Sequence, residues 1–122
     1  IVSDHLPEDE ESKRLPFAQA ATGAIGIETL LPLSLEMYHN ESLPLNKIIE
    51  TITINPSKIL KINKGSLRKG SDGDICIFDL EAPWKLDAEK LKSKSKNTAI
   101  EERKLQGKVL MTFLNGELVF NQ

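Results

Sequence analysis

The feature that most constrains this chain is a change of hydrophobic period near Lys64. Upstream, Ile27, Leu30, Leu31, Leu33, Leu35 and Tyr38 recur at helical spacing between Gly26 and Asn40, with Pro32 expected as a kink. Leu45, Ile48, Ile49 and Ile52 give a second helix, from Pro44 to about Thr53, with one apolar face. Asn55 followed by Pro56 reads as the cap and first helical position of a third. Downstream the pattern is that of strands. "DICIFDL" is a β-rich run, and "GKVLMTFLNGELVFNQ" reads as two strands joined by Asn115-Gly116, a hairpin dipeptide. Between them, "KLKSKSKNTAIEERKL" reads as a surface loop.

Helices followed by strands in this order do not make a balanced fold. The helices have no sheet of their own to cover, and three or four strands are too few to close a sandwich. The expectation is an α part, residues 1–62, and a β part, residues 63–122, each completed by strands upstream of Ile1.

The chain opens "IVSDHLPEDEESKRLPF". An apolar pair, a small residue and then Asp4-His5 read as the end of a buried strand that delivers ionisable groups to its C-terminal end, where α/β barrels and open α/β sheets keep their chemistry. Residues 6–25 form a long polar, glycine-containing loop, and loops of that length in compact domains commonly carry function. On residue type alone several readings stay open. Asp4 fits a helix cap or a loop ion pair as well as a catalytic role, and His5 fits a packed or solvated histidine. Lys13 and Arg14 suit either an anionic ligand or the neighbouring acids Glu8 to Glu11. His5 and His39, the only histidines, lack the spacing of a zinc site.

Sixteen basic against eighteen acidic side chains, a formal net charge of -2, set up no field for nucleic acid or anionic lipid, so a small molecule or a protein is the expected partner. No apolar run reaches the roughly 20 residues that span a bilayer. With 122 residues, 39% of them hydrophobic, an ordinary core is expected. Cys76, the single cysteine, excludes an intrachain disulfide; its apolar, strand-like surroundings predict a buried, inert thiol and point to a cytoplasmic protein.

"SDHLP", "LPFAQAATGAIGIETLLPLSLEM", "TINPSKILKI", "KGSLRKGSDGDICIFDL", "SKSKNT" and "LQGKVLMTFLNGELVF" follow one another along essentially the whole chain. In order and spacing this series resembles the C-terminal third of bacterial dihydroorotases of the amidohydrolase superfamily. The resemblance implies an α/β fold: the C-terminal end of a (β/α)8 metal-dependent hydrolase barrel, followed by part of a small β-sandwich built from both chain ends. Ile1 to Ser3 would be the end of barrel strand eight. Asp4 would be the aspartate that ligates one metal of a zinc pair and carries a proton between the attacking water and the leaving ring nitrogen.

The resemblance also places Thr22 and Gly23 in a segment whose backbone touches substrate, with Gly23 and Gly26 permitting close approach. Glu8 stands where the family usually has a histidine that helps bind the substrate carboxylate, and an acid there repels an anionic ring unless Lys13 or Arg14 compensates. His5 is a further candidate contact. The implied activity is reversible hydrolysis of dihydroorotate to N-carbamoyl-aspartate in pyrimidine synthesis. The alternatives are an allantoinase- or dihydropyrimidinase-type enzyme and a silent subunit supporting a carbamoyltransferase; a homodimer is a further expectation. For Trp84 the expectation is a core anchor, and for residues 93–98 a structural lid without chemistry.

Overall fold

The computed structural model describes residues 1–122. Four helices, α1 (Glu10–Lys13), α2 (Leu30–His39), α3 (Leu45–Ile52) and α4 (Ile54–Leu60), precede three strands, β1 (Ile75–Lys85), β2 (Lys104–Leu114) and β3 (Glu117–Asn121). The strands form one antiparallel sheet in the order β1-β2-β3. Its two edges are open, and every residue of β3 is exposed.

Helix α2 begins later than periodicity suggests. A 3₁₀ turn, Ile27–Thr29, leads into it, so Pro32 falls in the first α-helical turn, where its missing N–H needs no partner. Helix α4 begins at Ile54 rather than after Asn55, because the chain turns at Thr53 directly out of α3; Pro56 still lies in the first turn. β1 runs past the expected "DICIFDL" to Lys85. Asp79 Oδ1 accepts from Glu81 N (2.9 Å) and Ala82 N (3.1 Å), and the pairing with β2 slips between Asp79 and Pro83. That bulge is what admits a proline to a strand. Trp84, expected as a core anchor, is only half-buried; its Nε1 donates to Gly107 O at 3.0 Å.

Asn115 (φ 51°) and Gly116 (φ 84°) make the two-residue turn between β2 and β3, both in the left-handed region that a tight hairpin requires. Asp74 and Lys64 brace it. Asp74 Oδ1 accepts from Asn115 N at 2.8 Å, and Lys64 Nζ lies 2.6 Å from Asp74 Oδ2 and 2.7 Å from Asp72 Oδ2.

The core is thinner than the chain's length predicts: 11 of 122 residues are buried, led by Leu35, Ile48 and Leu86, with Ile25 and Leu105 around them. The apolar outer faces of α4 and of the sheet, among them Ile59, Leu60, Ile75, Ile77 and Val119, have nothing in this chain to cover them. Cys76 is another correction: it is exposed, as are Ile75 and Ile77 on either side of it, because nothing in the chain covers the start of β1.

Candidate active site

The segment before α1 runs beside the segment before α2. Leu6 N donates to Ala24 O (3.0 Å), and a β-carbon on Gly26 would stand 2.7 Å from Ser3 O, on Gly23 2.7 Å from Leu6 O. The close approach that these glycines permit is therefore to the chain's own backbone, at least in part. Gly23, at φ 123°, also needs a conformation that other residues rarely adopt.

Residues 1–9 carry no strand, since no neighbouring strand in the chain pairs with them. Asp4 sits at the end of this segment with φ 47°, a left-handed conformation that Asp tolerates better than most residues. This turn ends the extended run, so Asp4 and His5 do not stand together at the end of a strand. Asp4 is exposed, no ion pair uses it, and it lines a cavity of about 480 Å³ together with Ser3, Gly23, Ala24 and Gly26. His5 folds back instead: its Nδ1 accepts from Gly26 N at 3.0 Å and Ile27 N at 3.4 Å. An accepting Nδ1 means that the neutral ring carries its proton on Nε2.

The cations expected near the substrate are engaged elsewhere. Lys13 Nζ donates to Ala21 O (2.6 Å) and Gly23 O (2.9 Å), closing residues 13–23 into a loop. It pairs with none of the neighbouring acids, because the chain folds back over it and offers carbonyls first. Arg14 does take the acids, bonding Glu11 at 3.1 Å and also Glu10. Glu8, half-buried, shares a second cleft with Lys13, Lys94 and Lys96. Thr22 is exposed, and none of the loop backbone hydrogen bonds uses its N–H or carbonyl. Asp4 and Gly23 are thus brought to one cavity, Glu8 and Lys13 to another; His5 lies against Gly26, and Arg14 turns out to solvent.

The loop after β1, expected to be a plain lid, holds this arrangement together. Asn97 Oδ1 accepts from Glu8 N (3.4 Å), Asn97 Nδ2 donates to Gly23 O (3.2 Å), and Asn97 O accepts from Ile25 N (3.0 Å). Ser95 Oγ donates to Glu8 O at 2.5 Å. Glu28 Oε1 accepts from Lys92 N (2.8 Å) and Ser93 N (3.2 Å), fixing the base of the same loop. Ser95 and Asn97 were within reach of sequence reasoning only as polar residues of the Ser-x-Asn-Thr motif; nothing local says what they bind.

No three His, Cys, Asp or Glu residues of the chain come together as a metal site. Asp4 offers one oxygen donor of the right kind, but His5 Nδ1 is occupied by the Gly26 amide, and His39 packs edge-on to Tyr38 with its Nδ1 4.0 Å from Glu81. The residues present do not by themselves fit a zinc pair.

Over residues 2–119 the sequence matches the Amidohydrolase family, and the chain belongs to that family. A dihydroorotase from Ehrlichia chaffeensis is 42% identical over 120 residues, which are 98% of this chain and 27% of that protein. An L-hydantoinase (dihydropyrimidinase) from Arthrobacter aurescens superposes with a TM-score of 0.78 at 32% identity, over 85% of this chain and 24% of the other. A D-hydantoinase from a Bacillus sp. AR9 superposes at 0.88 with 25% identity, over 97% and 28%. The chain spans a little over a quarter of the length of the curated relatives it matches. Its fold is that of the corresponding part of amidohydrolases, the C-terminal end of the (β/α)8 barrel with part of the β-sandwich.

Proposed function

We propose that the full-length protein is a dihydroorotase, a cytoplasmic hydrolase that opens the cyclic amide of dihydroorotate to N-carbamoyl-aspartate and closes it again. The observation that carries this reading is the 42% identity to a dihydroorotase across 98% of the chain. The exposed Asp4 beside Gly23 is consistent with it. Asp4 is the proton carrier: a carboxylate free of ion pairs can take a proton from the attacking water and return it to the ring nitrogen. Asp4 would also give one oxygen to a pair of zinc ions, whose remaining donors would come from outside this chain, and such ions would supply Lewis acidity. The free peptide groups of Thr22 are the backbone partners offered to the ring. Residues 1–62 would close the barrel and residues 63–122 would add to the sandwich.

A second reading, a hydantoinase or dihydropyrimidinase acting on a neutral ring, is favoured by Glu8. Its acid suits an anionic ring poorly, and both cations near it in sequence are committed elsewhere. Assaying the zinc-loaded full-length protein on dihydroorotate, dihydrouracil and hydantoin tests the two. Preference for dihydroorotate supports the first reading, and preference for a neutral ring replaces it with the second. Inactivity on all three would sink both in favour of a silent subunit, for which co-purification with a carbamoyltransferase is the companion assay.

A further inference from the structure

We propose that Asn97 is a positioning residue for the reaction: from the loop between β1 and β2 it sets the relative placement of Glu8 and Gly23, the two sides of the loop that would face substrate. This inference rests on the hydrolase reading above. Both ends of the Asn97 amide are used, Oδ1 toward Glu8 N and Nδ2 toward Gly23 O, while its own carbonyl takes the Ile25 amide. One side chain therefore spans two strips of backbone that lie 15 residues apart in sequence, and no residue with a single polar function can do the same.

Ser95 strengthens the grip. Its hydroxyl faces both Glu8 O and Asn97 Oδ1, so residue 8 is held at its N–H and at its carbonyl. Lys13 Nζ adds a second donor to Gly23 O. The Gly23 carbonyl is thus saturated, and the neighbouring Thr22 peptide is left as the open one. Because Glu28 fixes the amides of Lys92 and Ser93, the loop bearing Asn97 is itself anchored to the start of the α2 segment. Placement of the substrate-facing backbone is in this way referred to the β part of the molecule rather than to the active-site loop alone. Fine geometry of this kind matters because a misplacement on the order of 1 Å can cost about 10²-fold in rate.

The test uses Asn97→Ala, Asn97→Asp and Asn97→Gln in the full-length protein, with steady-state kinetics and amide hydrogen exchange. Asn97→Asp keeps the acceptor facing Glu8 N but loses the donor to Gly23 O. Asn97→Ala is expected to raise KM at least about tenfold with a smaller fall in kcat, and to speed exchange at Glu8 and Ile25 about tenfold while the β1–β2 amides stay protected. Asn97→Asp should fall between wild type and Asn97→Ala, and Asn97→Gln, with the same groups on a longer stem, should recover less than half of the loss. Unchanged KM, or exchange that quickens throughout the sheet together with a general loss of stability, would overturn the proposal. The exchange measurement needs no turnover. If the wild-type protein opens no cyclic amide, the hydrolase reading fails, and unchanged exchange at Glu8 and Ile25 in Asn97→Ala would separately refute the clamp.

Discussion

Leu35 occupies the space that a side chain on Gly107 would need: a β-carbon built there stands 2.4 Å from Leu35 Cδ1. Leu35 is fully buried, and Gly107 lies in β2 at φ 94°. Helix α2 therefore docks on the sheet through a knob of Leu35 against bare backbone. Gly107→Ala should destabilise the protein by about 2–4 kcal/mol, from overpacking and from the left-handed backbone together. Urea unfolding followed by circular dichroism measures this, and a loss under about 0.5 kcal/mol would show that the helix moves aside freely.

Asp4→Asn keeps the shape of the side chain and removes its ability to accept a proton. In the full-length enzyme the expected loss in turnover is on the order of 10² to 10⁴. Normal turnover in that variant would take Asp4 out of the chemistry.

Glu8→His replaces an acid with a neutral or cationic ring at a position whose backbone is held by Asn97 and Ser95. For a dihydroorotase the KM for dihydroorotate should fall severalfold, since one repulsive charge is removed. For an enzyme of neutral rings, KM for dihydrouracil should be little changed or rise. Initial-rate kinetics on both substrates separate the cases.

The Asn115 amide, followed by the Lys64 ammonium, holds the Asp74 carboxyl below the usual aspartate range. Asp74 therefore favours the folded state above the ordinary aspartate pKa, and this contribution disappears as pH falls through the lowered folded value. Lys64 is raised, by Asp72 first and then Asp74, so its contribution holds below the ordinary lysine pKa and is lost as pH rises through the raised value. Asp74→Asn should flatten the decline of the urea midpoint below about pH 4, and Lys64→Met should flatten the alkaline one. Parallel acid limbs in wild type and Asp74→Asn would argue against the brace.

Partial burial raises the Cys76 thiol above its ordinary pKa, with the hydrogen bond to Thr112 pulling the other way. Although the residue is open to solvent, its sulfur is crowded by the strand around it, and the thiolate is scarce at neutral pH. Alkylation of this chain by iodoacetamide should be slow at pH 7 and rise about tenfold per pH unit as the solution becomes alkaline. A fast rate that hardly changes with pH would mean a low-pKa thiol.

Much of the fold was legible in the sequence because it depends on neighbours a few residues apart. The spacing of Leu30, Leu35, Ile48 and Ile52 favours helices, and Asn115-Gly116 supplies the two left-handed residues of the hairpin. The Asp-His pair could likewise be singled out as residues able to do chemistry, whereas residues 93–98 read only as a structural lid. Tertiary structure decided what they touch. Asn97 meets Gly23 and Glu8 across 74 and 89 residues of chain, separations at which no local pattern carries information. The same holds for the left-handed turn at Asp4, the capture of His5 by the Gly26 amide and the extension of β1 past Pro83 through the Asp79 bulge. The exposure of Cys76 follows the same rule from the other side: its apolar neighbours predict burial, but burial requires a partner surface, and hydrophobicity along a chain records the demand for that surface without recording where it is met.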